Sequence, residues 1–266
     1  MRRTFVGFAV VVGLSVCGTR TMAADSGALI KPGEKAPTFS LPALGGSREV
    51  LRVWCGDTLL KPYANDVKHT VIVNFWATYC KPCQKEIPQI GAFLKKHEGE
   101  PVKAFFVSID KEGVDKVGPF VKDKGYDVTV LLDTYARTAK RYGVKSVPAL
   151  FVIAPDGSVF YSASGYDEST NLTEKLEGIY AAIKAGEAPA SGEVEVAGDQ
   201  VAVEESSDSA PPAAAELTPK ERWQAVIRVE CGEKPADVAE DMGIDITDLR
   251  TWSKQLKQAA VKLWAE

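Results

Sequence analysis

Cys80 and Cys83, one helical turn apart in the stretch Trp76-Ala77-Thr78-Tyr79-Cys80-Lys81-Pro82-Cys83, are the residues best suited to chemistry. Free amides and the positive dipole end of a helix starting there would favour the Cys80 thiolate and lower its pKa. Pro82 suits a first turn, where its missing N–H would have had no partner. Cys83, a turn deeper, is placed to attack a mixed disulfide formed by Cys80, so the pair reads as a dithiol that cycles with a disulfide. A C-x-x-C can also be half of a zinc site, but no second such pair stands at suitable spacing. The only histidines, His69 and His97, lie well away in sequence, so no metal is expected. A purely structural disulfide is the other alternative; the aromatic-rich lead-in and the strand-to-helix setting argue against it.

The flanking elements must hold that geometry. Thr70 to Phe75 is apolar and β-branched, which predicts a buried strand. Gln84 to His97 places Ile87, Ile90, Phe93 and Leu94 near helical spacing. Beyond it, Val102 to Ile109 predicts a second central strand, Val114 to Gly125 a helix and Val128 to Leu132 a strand. Ala136 to Tyr142 predicts a helix ended by Gly143. Val144 to Ile153 leads into a strand, Asp156-Gly157 is a hairpin turn, Ser158 to Ala163 returns, and Thr170 to Ala185 closes as a helix. Upstream, Arg48 to Trp54 reads as a short strand. The expected class is α/β, a mixed sheet with helices on both faces.

Asn74-Phe75-Trp76-Ala77-Thr78-Tyr79-Cys80-Lys81-Pro82-Cys83, with Glu86-Ile87-Pro88 after it, resembles the thioredoxin-like thiol:disulfide oxidoreductases of the bacterial envelope, the TlpA/ResA type. The resemblance covers about Pro32 to Ala185. It implies a thioredoxin-like fold, a redox-active Cys80–Cys83 disulfide with no other cofactor, and a cis bond before Pro148. Val147 would then offer free backbone groups to a substrate strand beside Cys80. It also implies a proton-handling Glu86, where a partly buried carboxylate would raise the cysteine pKa values. Trp76, Tyr79 and Pro82 join Val147 and Pro148 as expected packing and docking residues. Implied partners are disulfide-containing envelope proteins such as apocytochrome c, and a membrane thiol carrier as electron donor. Ala36-Pro37-Thr38-Phe39-Ser40-Leu41-Pro42 is shared with peroxiredoxins, so a peroxidase is the alternative enzyme.

The 266 residues allow about two domains, with apolar and charged fractions ordinary for a globular protein. Arg2-Arg3 followed by the apolar run Phe5 to Val16 reads as a signal peptide over residues 1–24, hence a periplasmic or envelope location. Leu14-Ser15-Val16-Cys17 leaves lipidation or an uncleaved anchor open. The resembling domain takes residues 25–185. Residues 186–216 hold eight acids and no Lys or Arg, which against a net charge of −4 leaves +4 for the rest. Rich in Ala, Gly, Pro, Ser and Glu, they are expected to form a flexible acidic tether.

Residues 217–266 predict three helices and resemble the helix-turn-helix of transposase-like DNA-binding domains. Their eight basic and nine acidic side chains make no strong phosphate-binding field, so protein contact is expected rather than DNA. A redox-sensitive binding protein that uses this module is the non-enzyme alternative. Cys55 and Cys231 read as buried small hydrophobes.

Overall fold

The computed structural model describes residues 28–60, 65–189, 194–203, 219–230, 234–242 and 244–264. The expected signal segment, Cys17 and Cys231 lie outside these residues. Ser40–Pro42 (β1) and Arg48–Val50 (β2) form a small antiparallel pair, and the chain then takes a short 3-10 turn at Leu51–Val53. Only the first half of the expected 48–54 strand is therefore extended. Next come Thr70–Trp76 (β3), Lys81–Lys96 (α1), Val102–Ser108 (β4), Val114–Lys124 (α2), Val130–Leu132 (β5) and Arg137–Arg141 (α3). Ser146–Val147 (β6), Ala149–Ile153 (β7), Val159–Ser164 (β8) and Leu172–Ala185 (α4) complete the expected order.

The central sheet runs β5-β4-β3-β7-β8 and continues into Glu195–Val196 (β9). β3, β4 and β5 are parallel, and β7 lies antiparallel to β3. All seven residues of β3 are buried, as a strand covered on both faces requires. Its side chains alternate: Asn74 and Trp76 meet α1 and α2, while the Phe75 ring lies 5.3 Å from that of Tyr142 on the other face. Phe39, Phe105, Tyr142 and Phe151 complete an aromatic core of edge-to-face and tilted pairs on that side. The fold is thus a mixed sheet with helices on both faces.

Two elements appear where composition predicted none. β9 pairs parallel with β8, and Val201–Ala202 (β10) pairs antiparallel with β6. The expected tether over 186–216 is therefore strand-bearing across 194–203. Alternating valines supply apolar faces there that the mean composition conceals: Val201 and Val203 pack against the main core. Pro219–Glu230 (α5), Pro235–Met242 (α6) and Ile246–Trp264 (α7) form a separate cluster around Ala225, Val226, Val238, Ala239, Ile244 and Leu249. Among the described residues, no helix is long and apolar enough to cross a membrane.

Candidate active site

The end of β3 delivers Cys80 to the first turn of α1. Cys80 is the helix N-cap: its backbone is extended, and its Sγ accepts from the Cys83 N–H at 3.2 Å. Cys80 and Cys83 are joined as a disulfide with Cα atoms 5.3 Å apart. Pro82 sits in the first turn, where no intrahelical donor is lost. Both cysteines have no solvent exposure, although the preceding Tyr79 is 43 % exposed.

The loop before the disulfide is fixed by a residue that sequence reasoning missed. Asp110, just past β4, is buried and accepts from the Thr78 N–H at 2.9 Å, the Thr78 hydroxyl at 2.6 Å and the Ser108 hydroxyl at 2.8 Å. Lys116 stands 3.5 Å from the same carboxylate, and its ammonium lies over the Tyr79 ring. The acid is thus neutralised while it holds Ala77–Tyr79 in place. Nothing local in the sequence announces a pairing across thirty-two positions.

Glu86 falls on the buried stripe of α1 with Cys83, Ile87, Ile90 and Phe93. It is 3 % exposed, not a solvated helix glutamate. Burial pushes its carboxyl up from 4.5 to about 8, against the opposing hydrogen bond from Asn74. Asn74 Nδ2 donates to Glu86 Oε2 at 2.6 Å, while Asn74 Oδ1 is buried with no partner. Burial outweighs the Asn74 hydrogen bond, so Glu86 is held neutral. Glu86 also lines a cavity of about 460 Å³ with Leu150, Tyr161, Lys175, Glu195 and Val196. At its rim the Tyr161 hydroxyl donates to Glu195 at 2.7 Å, and Lys175 pairs with the same carboxylate.

Val147-Pro148 is a cis peptide bond, and both residues are buried. Two sequence expectations need correction. Trp76 is fully buried, its ring 5.9 Å from that of Phe120, so it is core and offers no docking surface. The strand alternation that aims Asn74 at α1 aims Trp76 under α2. The Val147 backbone is not free either, because Val201 of β10 lies opposite it. Cys55 is a free, buried thiol, pushed up to about 12 by desolvation, in accord with its reading as a small hydrophobe. Among the described residues, no group of acidic, His or Cys side chains is arranged to hold a metal.

A sheet of this topology, with a disulfide capping the helix after its central strand and a cis proline just before the neighbouring strand, defines a thioredoxin-like domain with a redox-active C-x-x-C. The AhpC/TSA family profile matches residues 32–162. The chain is 28% identical over 184 residues to the thiol-disulfide oxidoreductase ResA of Bacillus thuringiensis, covering 67% of this chain and 99% of that one. With the ResA protein of Bacillus cereus it shares 30% identity over 147 residues, 55% of this chain and 78% of the relative. A hypothetical protein from Sinorhizobium meliloti has the same fold, with a TM-score of 0.52, 21% identity and coverage of 65% of this chain and 94% of that one. The chain belongs to the ResA-type thiol-disulfide oxidoreductases.

Proposed function

We propose that this chain reduces disulfides of exported proteins through Cys80 and Cys83, with Glu86 handling protons and Val147-Pro148 docking the substrate strand. The observation that carries the reading is the disulfide at the α1 N-terminus beside a buried, proton-holding carboxyl. In the reducing direction the Cys80 thiolate attacks one substrate sulfur, and the substrate S–S bond breaks to release the first thiolate. The Cys83 thiolate then attacks Cys80 Sγ, re-forming Cys80–Cys83 and releasing the second. Two electrons pass to the substrate, whose two thiolates take up protons. Glu86 can accept the Cys83 proton only in its ionised form, so this step gains as pH rises toward about 8. A membrane thiol carrier would return the electrons, and apocytochrome c is a substrate of the right chemistry.

In this reading residues 1–24 direct export, 25–185 form the redox domain, and 217–266 form a helix-turn-helix-like module for protein contact. Trp223 and Ile227, exposed on α5, support protein rather than nucleic acid as its partner. The deciding experiment is the reduction potential of the Cys80–Cys83 couple. A value near about −270 mV fits a reductant that needs an upstream donor. A value near about −120 mV would make the chain an oxidant and overturn the direction.

A further inference from the structure

The strand edge assigned above to the substrate is already occupied. In β10 the register sets Val201 opposite Val147 and Ala202 opposite Ser146, and the Val203 N–H donates to Lys145 O at 2.8 Å. Antiparallel ladders alternate, so with Lys145 and Val203 hydrogen-bonded the next hydrogen-bonded pair is Val147 and Val201. These are the main-chain groups a substrate strand would use. Val203 also lines the same depression as Tyr79, the residue before Cys80.

The seat is built for this segment. Gly165 has φ +85, and a Cβ there would come within 2.5 Å of Ala197 O, so the segment crosses where the domain carries no side chain. The Tyr166 N–H donates to Asp199 O at 3.0 Å, and Gln200 bonds to Ser146 while its Nε2 donates to Ala197 O at 3.0 Å. Val201 and Val203 each pack on the main core. The same segment roofs the Glu86 cavity through Glu195 to Gly198. The strand edge and the mouth of the Glu86 cavity are therefore covered by one stretch of chain. Cys80 has no exposure in this state, though an exchange reaction needs its sulfur reached by another protein.

We propose that residues 194–203 are an intramolecular ligand of the substrate edge, which an incoming protein disulfide must displace before it can pair with Val147 and reach Cys80. The proposal rests on the reading of Val147-Pro148 as the docking edge. Binding that requires a minor open state is weakened by the fraction open, so loosening the segment strengthens it.

The test compares the full chain with its Val201→Pro/Val203→Pro variant and with the milder Gln200→Ala. Proline has no N–H to give the ladder, and both sites lie outside the central sheet. Hydrogen exchange at the Val147 amide reports release of the segment. Single-turnover reduction of insulin by the pre-reduced protein reports substrate access. Faster Val147 exchange together with insulin reduction at least about threefold faster, graded between the two variants, is the expected result. Faster exchange with an unchanged or slower rate overturns the proposal, as does exchange that neither variant moves. Cys80→Ser separates the two levels of inference. If wild type and both released variants are all as inactive as Cys80→Ser, the proposed function and the occupant both fall; Cys80-dependent reduction indifferent to the segment sinks the occupant alone.

Discussion

Replacing Glu86 by glutamine should change how stability responds to pH more than any other single substitution at the site. The carboxyl titrates near 4.5 when unfolded and near about 8 when folded, because α1 buries it almost completely. Between those values the folded chain holds a proton that the unfolded chain has released. Stability of the wild type therefore falls as pH rises through that window and levels off above it. At about 1.36 kcal/mol per pH unit, the whole window is worth roughly 5 kcal/mol, a large part of a domain's typical 5–15 kcal/mol. Glutamine keeps the size, still accepts from Asn74 Nδ2, and offers an N–H to the unpartnered Asn74 Oδ1. It cannot ionise. Urea unfolding of the oxidised proteins should give nearly equal stabilities at about pH 5, and a Glu86→Gln advantage of several kcal/mol at about pH 8.5. Parallel stability curves for the two proteins across this range would refute the claim that Glu86 holds its proton at neutral pH.

Asp110→Ala should cost about 3 kcal/mol in the same unfolding assay, since it strips the acceptor from the buried Thr78 amide and the Thr78 and Ser108 hydroxyls. A loss below about 1 kcal/mol would mean that the loop before Cys80 is held by other contacts. Asn171→Ala removes the α4 N-cap, whose Oδ1 accepts from the Glu174 N–H at 3.3 Å, and should cost about 1 kcal/mol. Asn171→Asp should recover most of it, which separates capping from bulk.

The strand-loop-helix around the disulfide was legible because two periodicities meet there. The β-branched run Thr70 to Val73 opens a buried strand that ends at Trp76, and apolar spacing of three and four begins at Cys83. The same spacing shows why Glu86 is buried: it shares a face with Cys83, Ile87 and Ile90. The period of two bars Trp76 from docking, since a strand that turns Asn74 toward α1 turns Trp76 inward as well. Asp110 was invisible for another reason. Its partners come from β4 lying parallel to β3, and no local pattern encodes which loop then meets which.

Residues 194–203 show how averaging hides structure. Residues 186–216 are acidic and rich in small residues as a whole, and composition alone predicts an extended chain. Val194-Glu195-Val196 and Val201-Ala202-Val203 nevertheless alternate with a period of two, on either side of Gly198-Asp199. Such short strands bury too little surface to persist alone. They hold here because the domain supplies the other half, an unfilled edge at Ser146-Val147 and another at Ala163-Ser164. An open edge beside a reactive disulfide is useful for docking and hazardous for unselective pairing. An attached strand of modest area covers such an edge while staying weak enough to exchange with a longer substrate strand. Short, polar-flanked strands suit that task better than a long apolar one, and this chain has the short kind.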